Sequence, residues 1–168
     1  MDPRSPVYQF FSLSTRSDLK KYLCRPLIIS VVLSVIFSYG HLDNVIRYLI
    51  DIVPVISSIL LGFLGMIMVA SLSNNSIFDR MRADAVELKE GLSVSVYRIF
   101  FIGLFFDMIC FVVLLATSIL IGSLNQSFDF DYWFYFVEVM IILFLLLSSS
   151  MLFIRNMDRV YQITIHMN

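Results

Sequence analysis

Residues 52–78, IVPVISSILLGFLGMIMVASLSNNSIF, contain no Asp, Glu, Lys, Arg or His. About 20 consecutive apolar residues, as a helix rising ~1.5 Å per residue, cross the ~30 Å hydrocarbon core of a bilayer. This run is longer than that, so it identifies lipid as the solvent of the chain. A span is predicted over 45–72, with Pro54 kinking its early part, and three further apolar stretches follow the same reading at 22–42, 97–122 and 133–154. The composition agrees. Of the 168 residues, 59% are hydrophobic and 15% charged, against ~45–50% and ~25% in soluble domains. Such a chain is neither disordered, nor a nucleic-acid-binding module, nor an ordinary water-soluble domain.

Charge orients the spans. Arg4, Arg16, Lys20, Lys21 and Arg25 precede the first span, Arg80, Arg82, Lys89 and Arg98 lie around the 73–96 segment, and Arg155 and Arg159 follow the last span. Only Arg47 falls on the opposite side. The positive-inside rule therefore puts both termini and segment 73–96 in the cytoplasm. Seven acids (Asp2, Asp18, Asp79, Asp84, Glu87, Glu90 and Asp158) share that side, while Asp43, Asp51, Asp129, Asp131 and Glu138 share the other with Arg47. The net charge of −1 is thus a cancellation between a basic face and an acidic face. The expected fold is all-α: a polytopic four-transmembrane-helix bundle of the inner (plasma) membrane with both termini cytoplasmic.

The remaining segments are a cytoplasmic N-terminal segment (1–21), an outer loop (123–132) and a cytoplasmic tail (155–168). The first helix is read as uncleaved, with Tyr22 at the headgroups, Arg25 snorkelling and Pro26 in the first turn, where its missing N–H costs little. Tyr132, Trp133 and Tyr135 make an aromatic girdle at the start of the fourth span. Cys24 and Cys110 fit no metal or redox motif. In segment 73–96, Ile77, Met81, Asp84/Ala85, Leu88 and Leu92 fall near helical spacing, with Ser76 a cap and Gly91 a stop. This predicts an amphipathic helix whose Ile77, Arg80, Met81, Arg82, Leu88 and Lys89 meet a cytoplasmic partner or the membrane surface.

Small residues recur along the spans: Ser30, Ser34 and Ser38 in the first, Ser58, Gly62 and Gly65 in the second, Gly103 and Thr117 in the third. They let helix backbones approach closely, either within one bundle or between copies in a homo-oligomer. Three acids lie within the spans. Asp107, about nine residues from Arg98 and so ~14 Å into the bilayer, is expected near the midplane. A carboxyl there costs ~2.5–3.5 kcal/mol on insertion scales and belongs in the bundle interior. It would line a proton or cation path, act as a protonation-sensitive switch, or serve as a structural hydrogen-bond donor. Asp51 and Glu138 lie nearer the outer surface, where Arg47 is placed to pair with Asp51 one turn on and Glu138 would be solvated or ion-paired. Were these two to converge, they would form a cation-attracting mouth above Asp107.

No His-Glu metal motif, phosphate loop or nucleophile elbow is present, so neither catalytic nor metal-ligating residues nor a cofactor are expected. The expected function is a non-enzymatic sensor or signalling subunit that oligomerises and relays a membrane or surface event to a soluble cytoplasmic effector, without touching nucleic acid itself. The alternative is an oligomeric pore with Asp107 in its path. In its size, four spans, cytoplasmic termini, sizeable inner segment and negligible outer loops, the chain resembles the four-span membrane subunit of the Kiwa anti-phage defence system. The resemblance implies a homo-oligomeric membrane sensor that works with a cytoplasmic DNA-binding effector. It carries over no residue roles.

Overall fold

The computed structural model describes residues 10–11, 17, 20–40, 42–73, 76–87, 93–127 and 131–165. A π-helical turn, Lys20–Cys24, runs directly into α1, Arg25–Ser38. Then come α2, Leu42–Leu72, the short α3, Ser76–Ala83, a two-stranded antiparallel hairpin of β1, Ala85–Glu87, and β2, Ser93–Ser95, and the long α4, Val96–Ser127, and α5, Tyr132–Ile165. Four of the described helices are long and apolar enough to cross a membrane: Lys20–Ser38, Asn44–Leu72, Val96–Ser127 and Tyr132–Asp158. The chain is a four-helix bundle, all-α except for the small hairpin.

Lipid offers backbone groups no hydrogen bonds, so each crossing must satisfy its own, and the sequence supplies local repairs. Pro26 sits in the first turn of α1, where no N–H is needed. Pro54 lies inside α2 and removes the N–H that would reach the carbonyl of Ile50; Ser58 Oγ donates back to Pro54 O at 2.7 Å. Ser30 and Ser38 likewise donate to Leu27 O and Ser34 O, each at 2.8 Å. Ser30 and Ser38 thereby turn their polarity onto their own helix, whereas the buried Ser34 hydroxyl has no hydrogen-bond partner.

Successive spans pack against each other except for the first two. α4 packs along α2 and α5, whereas α1 packs chiefly on α5 and barely meets α2. Tyr132 Oη, at the start of α5, donates to Ser38 O at the end of α1 at 2.7 Å. The core lies around α4, whose Phe100, Leu104, Phe111 and Leu114 interlock with Val53 and Leu64 of α2 and with Val139 and Ile142 of α5. A smaller cluster joins Phe10 and Tyr22 to Ile102, Phe106 and Leu152, with the Phe10 and Phe106 rings stacked at 3.9 Å between centroids. Outside, Leu27, Ile28, Val32 and Ile36 of α1 and Ile59, Met66 and Val69 of α2 stand exposed, as lipid-facing side chains should.

Two expectations change here. The third and fourth helices outrun their apolar stretches: α4 continues to Ser127, into the segment read as the 123–132 outer loop, and α5 continues to Ile165, through most of the segment read as the 155–168 tail. The amphipathic helix of segment 73–96 ends at Ala83, and the chain then turns into the hairpin, with Val86 opposite Val94. Two strand segments pair their backbone groups with each other where a continued helix would have to run past Gly91.

Because lipid is as apolar as leucine, an internal Leu→Ala substitution loses packing rather than burial from water. Leu104→Ala is therefore expected to destabilise the bundle by about 2 kcal/mol, the low end of the range for water-soluble cores. Ile59→Ala, on the exposed face, should stay within about 0.5 kcal/mol. Unfolding of both variants by SDS in mixed micelles measures the difference.

Candidate functional site

Two buried acids each meet a carboxamide across the seam between α4 and α5. Asp107, 0% exposed, accepts from Asn156 Nδ2 at 3.4 Å. Glu138, 4% exposed, accepts from Asn125 Nδ2 at 3.0 Å. Asp107 and Asn125 are 18 residues apart on α4, and Glu138 and Asn156 are 18 residues apart on α5. Eighteen residues make five helical turns, so each pair of positions returns to the same face after ~27 Å. The antiparallel helices therefore keep one register from end to end. Each contributes an acid near its start and an amide near its end.

Local geometry makes room for these contacts. A Cβ built on Gly103 would lie 2.8 Å from Asn156 Oδ1, so only glycine lets the amide lie flat against α4 one turn below Asp107. Gly122 plays the matching part near the other pair, where a Cβ would fall 2.8 Å from Ile50 Cγ2, and α4 closes onto α2. Each acid keeps an oxygen, Asp107 Oδ1 and Glu138 Oε1, that is buried and accepts no hydrogen bond from the protein. Asn125 Oδ1 is in the same condition.

Asp107 lies in the first half of α4. It is ~16 Å from the first residue of α4 and ~30 Å from the last, counted along the helix. Its partner Asn156 directly follows Arg155. The carboxyl thus sits nearer the end of α4 that adjoins the hairpin than the end at Ser127. Glu138 differs from its expected place. It is buried and amide-bonded, not solvated or ion-paired. Asp51 does not pair with Arg47; both stand exposed on the rim of an open cleft of about 400 Å³ between α2 and α4, with Ile50, Gly122, Asn125 and Gln126. Asn125 joins Asp51's cleft to Glu138. Between this end and Asp107 the seam is closed by Phe111, Leu114, Ile121, Val139 and Ile142, so no mouth opens directly above Asp107 within one chain.

The small-residue stripes divide. Ser30 and Ser34 are buried on the side of α1 that meets α5, Ser38 and Thr117 are half-buried, and Gly103 is in the core. Ser58, Gly62 and Gly65 take no part in packing of the monomer: Ser58 and Gly62 are exposed, and nothing lies within 4 Å of a Cβ built on either glycine.

On the basic face, the carbonyl of Ser71 accepts from both Arg82 Nη2 and Tyr97 Oη, each at 3.2 Å. This one acceptor ties the end of α2 to α3 and to the first turn of α4. The Arg82 guanidinium lies over the Tyr97 ring at 4.8 Å and also bonds Asp79 at 2.8 Å. Phe78 packs against Phe100. Met81, expected on a contact surface, is 1% exposed and part of the core, which leaves Asp79, Arg80 and Arg82 as the exposed charges of α3, with Asp84 just beyond its end. Leu88 and Lys89 lie outside the described residues, as does the side chain of Ile77.

The amides were the residues hidden from sequence reasoning, because both lie beyond the apolar stretches. The signal was present as equal spacing, Asp107 to Asn125 and Glu138 to Asn156. Among the described residues no three His, Cys, Asp or Glu side chains gather where they could hold a metal ion. No protein-family model, curated protein or solved structure matches the chain.

Gly103→Ala should push Asn156 off Asp107 and cost roughly 1–3 kcal/mol as an overpacked contact, while Gly65→Ala should be neutral. A double-mutant cycle of Asp107→Leu with Asn156→Leu is expected to give a coupling of about 0.6 kcal/mol, the average for hydrogen bonds between membrane helices. Zero coupling would refute the contact.

Proposed function

We propose that this protein is a non-enzymatic sensor or signalling subunit of the inner (plasma) membrane. It oligomerises and relays a membrane or surface event to a soluble cytoplasmic effector, in anti-phage defence as its organisation suggests. The observation that carries this reading is the shared carbonyl of Ser71. Through it, any slide or tilt of α2 against α4 is handed to α3, whose exposed side is a patch of mixed charge suited to a soluble partner. Interfaces repack between discrete arrangements more readily than they deform. A carbonyl shared by two donors at the membrane surface is such a place, because its hydrogen bonds hold only in one relative position of the two spans.

Oligomerisation is supported by the outward face of Ser58, Gly62 and Gly65, where a second helix backbone could approach closely. The pore alternative draws on the unpartnered Asp107 Oδ1, which would face a path only if copies rearranged the seam.

Arg82→Met with Tyr97→Phe removes both donors to Ser71. In cells expressing the chain from its native locus, this pair is expected to abolish protection against phage without lowering the membrane level of the protein. Full protection by the variant would overturn the relay. Flux through liposomes that Asp107→Asn eliminates would move the assignment to the pore.

Gly62→Leu with Gly65→Leu should shift the cross-linked oligomer to monomer. An unchanged ladder would rule this face out as the interface.

A further inference from the structure

The π-helical turn ahead of α1 sets a second cleft against α5, lined by none of the acid–amide residues. It holds about 260 Å³ and is lined by Lys21, Tyr22, Met151, Ile154, Arg155 and Asp158. Two cations from different elements converge on one ring: Lys21 Nζ lies 5.3 Å from the Tyr22 centroid, and the Arg155 guanidinium carbon lies 5.0 Å from it. The ring is fixed, since Tyr22 is buried in the cluster with Ile102, Phe106 and Leu152. We infer that this cleft binds the phosphate of an anionic phospholipid in the leaflet at the basic face.

The charge argument is direct. Two cations and one carboxylate, Asp158, line the cleft, so it carries a net positive charge, and exposed Lys20 and Arg25 flank it on the same turn and the start of α1. The face of the aromatic ring offsets part of the repulsion between the converging cations. An anion held between them offsets more. Basic pockets between membrane helices at the surface where anionic lipids collect have the chemistry that phosphate headgroups require. The π-helical turn itself is a departure from the α-helix that recurs at functional sites.

The apolar part of the lining selects a lipid over a free phosphate. Ile154 is 65% exposed and, with Met151 one turn deeper on α5, gives an acyl chain a bed beside the headgroup. Leu27, Ile28 and Val31 of α1, the helix that follows the turn, are exposed as well. A soluble phosphate would leave this surface unused. The site does not depend on the relay reading, although Arg155 adjoins Asn156 and so connects the headgroup to the Asp107 contact.

The test is retention of phosphatidylglycerol by the full chain in detergent micelles, followed by native mass spectrometry across a lipid titration. One basic residue near an anionic surface is worth about a fivefold change in affinity. Lys21→Gln and Arg155→Gln are each expected to weaken retention by about that factor and to combine to roughly 25-fold. Lys21→Arg and Arg98→Gln, an exposed cation outside the cleft, should retain lipid as the parent does. Lys21 is exposed, so its variants keep the fold, and they decide the matter if Arg155→Gln does not. Undiminished retention by Lys21→Gln, or equal retention of phosphatidylcholine, would overturn the proposal. So would displacement of the lipid by an equal concentration of glycerol 3-phosphate, which would reassign the cleft to a soluble phosphate.

Discussion

The antiparallel register of α4 on α5 is the constraint on which the rest of the bundle depends. Apolar side chains alone specify it poorly in lipid, because a Leu or Phe loses little by sliding one turn along its neighbour. A buried carboxyl with a single amide donor cannot slide without leaving two polar groups unpaired in hydrocarbon. Placing one such contact at each end, Asp107 with Asn156 and Glu138 with Asn125, fixes both the shift and the relative rotation of the helices. α2 then docks on α4 through Gly122 and the core phenylalanines, and α1 docks on α5.

The four crossings were legible in the sequence because hydropathy measures the property that lipid selects. The helix ends were not, since a helix obeys its backbone hydrogen bonds and continues through Asn125 or Asn156 as readily as through Leu120. Reading 123–132 and 155–168 as loop and tail removed from view the two residues that pair with the buried acids. Glu138 then looked like a surface group, and Asp107 looked partnerless. Helical spacing also misled at Met81. Met81 does lie on an apolar face, but that face meets the bundle, and the alternation in Ser93, Val94 and Ser95 was the better guide to the strand beyond. The proposed pairing of Arg47 with Asp51 follows a sound rule for isolated helices. Here both side chains instead edge a cleft shared with α4.

Charge separates the two ends of the molecule by role. On the acidic face Asn125 bonds Glu138 and shares a cleft with Arg47 and Asp51. The basic face carries α3, the hairpin, the Ser71 node and the cationic cleft beside Tyr22.

The docking of α1 on α5 has a consequence for biosynthesis. Ser38 and the Tyr132 hydroxyl that caps it are separated by 94 residues. At about 5–20 residues per second, a ribosome takes roughly 5–20 s to make that stretch. For that interval the first helix sits in the bilayer without its partner, with buried-to-be Ser30 and Ser34 bonded only within their own turns or not at all. The serine-to-backbone bonds of α1 therefore serve an earlier state than the finished bundle: they keep the waiting helix tolerable to lipid until the last one arrives.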